Sequence, residues 1–152
     1  MSIVKCACTA AVLSMTYVSL AIARPYSVTL IEVTDAGYGR SSTFICSDYD
    51  VPCKGTVEAT IANRSETIAV LAVLTSGNAY LAFGRDGEYL STGEETYVCI
   101  PLNQSGNTKK VSLYEPSPVF QDDSPNELLH RPVIRHPGGF LATVLIDIRP
   151  RP

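Results

Sequence analysis

Thr56-Val57-Glu58-Ala59-Thr60-Ile61, then Asn63-Arg64-Ser65-Glu66, then Thr67-Ile68-Ala69-Val70-Leu71-Ala72-Val73-Leu74 is the stretch that decides the fold. The first six residues alternate. Val57, Ala59 and Ile61 fall on one face and Glu58 and Thr60 on the other, which is the period of a half-buried strand. The four that follow read as a polar turn. The last eight form a nearly continuous apolar run, the pattern of a central strand covered on both faces. Its alanines would suit a helix, but a run of eight between turn signals is strand length.

The same signals recur in both directions along the chain. Tyr26 to Val33 is rich in β-branched residues, and Ser42 to Cys46 is a short second run. After Ser76-Gly77-Asn78 comes Ala79 to Phe83. Asp86-Gly87 is a strong short hairpin signal and leads into Tyr89-Leu90. Glu95 to Leu102 and Lys110 to Glu115 read as two more strands. Phe140 to Arg149 closes the pattern, with Phe140, Ala142, Val144, Ile146 and Ile148 on one face. Between them, Pro116 to Gly139 carries five prolines, which exclude a central strand and a long helix. Eight or nine strands at regular spacing, with no amphipathic helix, predict an all-β protein. The expected architecture is a single antiparallel β-sandwich, immunoglobulin-like or jelly-roll-like, with a long Pro-rich irregular segment before its last strand; a closed barrel is the alternative.

The opening of the chain reads differently. Lys5, the apolar stretch Ala10 to Ile22 and the small-x-small triplet Ala21-Ile22-Ala23 make residues 1–23 a cleavable secretory signal peptide. About 13 apolar residues fall short of the roughly 20 that span a bilayer. Cleavage before Arg24 leaves a single domain of residues 24–152. It is expected to be secreted or periplasmic, with no transmembrane segment after cleavage. Its 129 residues suffice for an independent core. Twelve basic against 15 acidic residues, without a basic block, argue against nucleic acid as a partner.

Beyond the signal peptide the cysteines are Cys46, Cys53 and Cys99. Export permits a disulfide. A Cys46–Cys53 bond would close the turn-rich loop Ser47 to Pro52 and staple the ends of a hairpin, while a bond from either to Cys99 is the alternative pairing. No C-x-x-C pair or zinc spacing is present, so no metal and no cofactor is expected.

Candidate chemistry is sparse. Asp48, Tyr49 and Asp50 sit on the loop between the two cysteines. An exposed tyrosine flanked by acceptors on a stapled loop is expected to contact ligand. His130 and His136 lie in the Pro-rich segment at a spacing that matches no metal motif, and read as exposed loop residues. Asp48 and Asp50 with Asp122, Asp123 and Glu127 could supply oxygen ligands, but their spacing fits no EF-hand loop. The chain has no G-x-S-x-G elbow. Asn63-Arg64-Ser65 and Asn103-Gln104-Ser105 are sequons. The expected function is an exported, non-catalytic binding or scaffolding domain with a protein or carbohydrate partner. The alternative is a secreted hydrolase or metal-dependent enzyme with its site between the Cys46–Cys53 loop and the His130–His136 segment.

Overall fold

A computed structural model describes residues 25–93, 96–103, 105–116 and 138–152. Nine strands run through them: β1 Tyr26–Thr34, β2 Gly37–Cys46, β3 Cys53–Ile61, β4 Arg64–Leu74, β5 Asn78–Arg85, β6 Glu88–Tyr89, β7 Tyr97–Pro101, β8 Asn107–Tyr114 and β9 Phe140–Pro150. The described residues contain no helix. The signal peptide reading, His130, His136, Asp122, Asp123 and Glu127 fall outside the described residues.

The strands form two antiparallel sheets, β2-β1-β9-β8 and β3-β4-β5-β6, with β7 pairing on β5 beside β6. Their inner faces pack together as a β-sandwich, as the alternation predicts. The connectivity, however, is not the Greek-key order of an immunoglobulin or jelly-roll domain. Within each sheet consecutive strands pair, β1 with β2, β3 through β6 in order, and β8 with β9, except that β7 pairs with β5 in line with β6; the last strand, β9, returns to pair with β1 along Tyr26↔Pro150 to Val33↔Thr143. This is the meander order of an up-and-down barrel, flattened into two sheets. Alternation shows which face of a strand is buried, not which strand lies beside it, so the topology was not legible.

Local chemistry explains the turns. Ala62 and Asn63 have φ of 49° and 61°, and Asp86 and Gly87 have 53° and 80°. Both pairs are two-residue hairpin loops whose left-handed residues match the twist of the flanking strands. The first is tighter than expected: only Ala62-Asn63 turn, and Arg64 to Glu66 already belong to β4. Strand β2 is likewise longer than the apolar run Ser42–Cys46, because the tight turn after Thr34 brings polar Gly37 to Ser41 into register with β1.

Buried side chains alternate along β1 (Val28, Leu30), β3 (Val57, Ala59, Ile61), β5 (Ala79, Leu81, Phe83) and β9 (Val144, Ile146, Ile148). Two expectations fail here. Strand β4 is central but not covered on both faces. Ile68, Val70, Ala72 and Leu74 are buried, while Ala69 is exposed and Leu71 and Val73 are half-buried. An apolar run therefore marked an apolar outer surface. The second failure concerns Phe140, which leaves the inner row of β9 and is 60% exposed. A bulge opposite Leu113/Tyr114 adds one residue, so Leu141 turns inward and Phe140 packs edge-on against Tyr114 at 5.9 Å.

Along one side of the sandwich, β2 of the first sheet lies against β3 of the second. Ser42 Oγ donates to the Thr56 carbonyl, and a Cβ on Gly55 would fall 2.1 Å from the Phe44 ring. Gly55 is thus the gap in the inner row of β3 that the Phe44 ring fills. The Cys46–Cys53 disulfide is present, with Cα atoms 5.6 Å apart. It is not the staple of a hairpin. It ties the end of β2 in one sheet to the start of β3 in the other, and it leaves neither cysteine for Cys99, which is buried in β7.

At the opposite end of that side, Glu32 is 4% exposed and reaches across the sheets to accept the Thr60 backbone N–H at 2.6 Å. Arg40 Nε stands 3.9 Å from its other oxygen. Gly39 leaves the space: a Cβ there would lie 2.6 Å from Glu32 Oε2. A buried carboxylate must find partners, and this one finds a backbone donor in the second sheet and a guanidinium on the neighbouring strand of its own.

Candidate functional site

The long strands run the length of the molecule, so the loops that join them gather at two ends, while the connection from β6 to β7 follows the edge of the sheet. At the first end lie the Cys46–Cys53 loop, the turn Thr75–Gly77 and the residues between β7 and β8. At the second lie Asp35-Ala36, Ala62-Asn63, Asp86-Gly87 and the junction Glu115, Pro116 and Gly138, where Glu115 N–H donates to the Gly139 carbonyl at 2.9 Å. Strands of nine to eleven residues separate the two ends by roughly 30 Å. The Pro-rich segment carrying His130 and His136 therefore leaves and re-enters the sandwich at the end remote from Asp48, Tyr49 and Asp50.

The loop itself differs from its sequence reading. Asp48 and Asp50 are exposed. Tyr49 is half-buried and packs against the core, and Asp50, at φ 59°, donates its N–H to the Leu74 carbonyl at 2.8 Å. The loop is pulled down onto the end of β4. An aromatic ring beside an apolar core buries itself, and two neighbouring aspartates do not outweigh that. Tyr49 thus serves packing, and the ring face expected for a ligand is largely used.

A broader surface is built by the outer face of the five-stranded sheet. The registers Thr56↔Ala69, Ala69↔Gly84 and Gly84↔Tyr89 form one row across four strands, and Lys54↔Leu71, Leu71↔Ala82 and Ala82↔Tyr97 form the next. In a third row Tyr80 stands between Val73 and Cys99. Ala69, Ala82 and Gly84 make a floor with almost no side chains. Tyr89 is 60% and Tyr97 40% exposed, and they stand along one wall, Tyr97 edge-on to Tyr80 at 6.0 Å. A cleft of about 270 Å³ opens between Thr67, Ala69, Gly84 and Tyr89, closed at its end by Arg85 and Glu88. Arg85 is fixed by Glu66 and Glu115, each at 3.3 Å.

Across the sheet from the tyrosines, beside Thr67, the face is polar. Glu58 accepts hydrogen bonds from Thr67 and, at 3.0 Å, from Ser65, and Arg40 Nη1 lies 3.9 Å away. These hydroxyls, Thr67 foremost, with the guanidinium adding, hold its carboxyl below the ordinary carboxylate value. A depressed folded value contributes stability that is complete above the unfolded pKa and is lost as pH falls through the folded one. Glu58→Gln removes that dependence. The wild type is expected to melt higher than Glu58→Gln by a constant margin from pH 7 to about pH 5, and the two curves should converge below about pH 4, where the wild type falls more steeply. Parallel curves down to pH 2 would show that the Glu58 bonds are not formed in solution.

The signal for this surface was present in the sequence as Tyr80, Tyr89 and Tyr97 with Ala69, Ala82 and Gly84, but only strand register aligns them. No protein family, curated protein or solved structure matches the chain.

Proposed function

We propose that the protein is an exported, non-catalytic binding or scaffolding domain whose contact surface is the outer face of the five-stranded sheet, facing a protein or carbohydrate partner. The observation that carries the reading is the row of exposed tyrosines over a floor of Ala69, Ala82 and Gly84. Exposed aromatic rings on a rigid sheet lose little conformational freedom on binding, and single tyrosines often dominate such contacts. The inter-sheet disulfide supports an oxidising, exported location. No helix among the described residues is long and apolar enough to cross a membrane. The hydrolase reading needs the loop of Asp48 and the His130–His136 segment to share a cleft. Their attachment points at opposite ends give it no support.

The test is retention. The full chain, immobilised and exposed to the exported fraction of the source cells, is expected to hold back a protein or polysaccharide component. Tyr89→Ala and Tyr97→Ala should each lower retention by about tenfold. Tyr89→Ala should leave unfolding free energy within about 0.5 kcal/mol, as exposed substitutions do. Equal retention by wild type and both variants would place the contact surface elsewhere.

A further inference from the structure

We infer that the outer face of the five-stranded sheet, a shallow trough floored by Ala69, Ala82 and Gly84 with Tyr89 and Tyr97 along one side, takes a pyranose oligosaccharide, an assignment that rests on the binding-domain reading. Size decides first. From Tyr80 to Gly84 the trough runs four residue steps, about 14 Å, and from β3 to β6 it crosses three strand spacings, again about 14 Å. That is roughly 200 Å², against the roughly 800 Å² per partner of a stable protein interface. A second copy of the chain, or any folded protein, would find too little surface here. A chain of two or three sugar rings fits.

Chemistry separates a sugar from an extended peptide. Peptides that join sheets do so at an edge, through unpaired main-chain groups. On this face the backbone N–H and C=O groups of β4 and β5 are spent in the ladders β3·β4, β4·β5, β5·β6 and β5·β7. Recognition is left to side chains, and those present are of two kinds. The rings of Tyr89 and Tyr97 offer electron-rich faces to an axial C–H surface. Opposite them, Glu58, with a side chain 42% exposed, keeps acceptor capacity beyond its bonds from Thr67 and Ser65, and Thr56 and Lys54 are exposed beside it. A pyranose has this same division, an apolar face and a hydroxylated edge. The floor lacks side chains, so a flat ring can lie close to the sheet.

The chain has no Trp, so its emission comes from tyrosines, of which Tyr80, Tyr89 and Tyr97 lie on this face. The full chain, with its disulfides intact, is titrated with cello-, xylo-, malto- and chito-hexaose, followed by emission and calorimetry. At least one is expected to bind below millimolar concentration. Tyr89→Ala should weaken it about tenfold, and Ala69→Leu, which fills the floor at an exposed strand position, should abolish it. Melting curves identify any variant that has lost its fold, and Tyr97→Ala then replaces it. Binding of no hexaose at millimolar concentration, or binding unchanged in both Tyr89→Ala and Ala69→Leu, overturns the assignment. If no hexaose binds while Tyr89-dependent retention of a protein persists, the sugar fails and the binding-domain reading stands. If both are absent, both fail.

Discussion

Phe83→Ala is expected to lower the unfolding free energy by about 3–5 kcal/mol, the range for a buried aromatic truncated to alanine. Phe83 is the largest fully buried side chain among the described residues; it pairs with Val70 of β4 on one side, and on the other, between the β6 and β7 ladders, its carbonyl accepts the Leu90 N–H. A domain of this size is stable by about 5–15 kcal/mol, so the change removes a large share. Ile146→Ala in β9 should follow at about 2–5 kcal/mol. Ile61, 6% exposed at the end of β3, can relax into its cavity more readily and should fall at the low end of that range. Urea midpoints at constant slope give the order Phe83, Ile146, Ile61. An unchanged midpoint for Phe83→Ala would show that β5 turns its other face to the core, and the trough would then be on the inside.

Removing the Cys46–Cys53 bond, as the double variant Cys46→Ser and Cys53→Ser, should cost about 2–3 kcal/mol on the loop-entropy estimate. Placement makes the effect directional. Backbone ladders hold each sheet together, but β2 and β3 belong to different sheets and meet through the Ser42–Thr56 contact, the Phe44 ring at Gly55, the Arg40–Glu58 ion pair and this bond. Amide exchange is therefore expected to quicken along β2 and the start of β3, and to change little in β4 and β5. Uniform quickening would mean that the bond acts only on the unfolded chain. The loop itself should stay seated, because the Asp50–Leu74 hydrogen bond and the packing of Tyr49 remain.

Particular residues show how much could be read in advance. Val57, Ala59 and Ile61 declared their inward face through alternation alone, and Asp86-Gly87 declared its turn, because both signals lie within a few residues. Phe140 was assigned to the wrong face for the same reason: a bulge adds one residue, and nothing local in the sequence announces it. Thr67 to Leu74 misled in a more useful way. Its continuous apolar character was read as burial on both sides, whereas Ala69, Leu71 and Val73 form part of an open outer surface. Tyr49 looked like the recognition residue because it was flanked by aspartates. Tyr89, beside a hairpin glycine, drew no attention.

By itself the sequence determined the class: strand after strand of period two, turns where glycine, asparagine and aspartate tolerate left-handed backbone, and two cysteines seven residues apart able to pair. These are properties of short windows, set by side-chain sterics and the price of exposing apolar surface. Only the tertiary structure decided that the strands follow one another around a flattened meander, that the disulfide joins two sheets, and which ends and faces come together. Glu58 and Tyr89 are 31 residues apart in the chain and become opposite sides of one trough through three ladders of hydrogen bonds. Register of that kind is fixed by long-range pairing and by the packing of the opposite face, and no local window contains it.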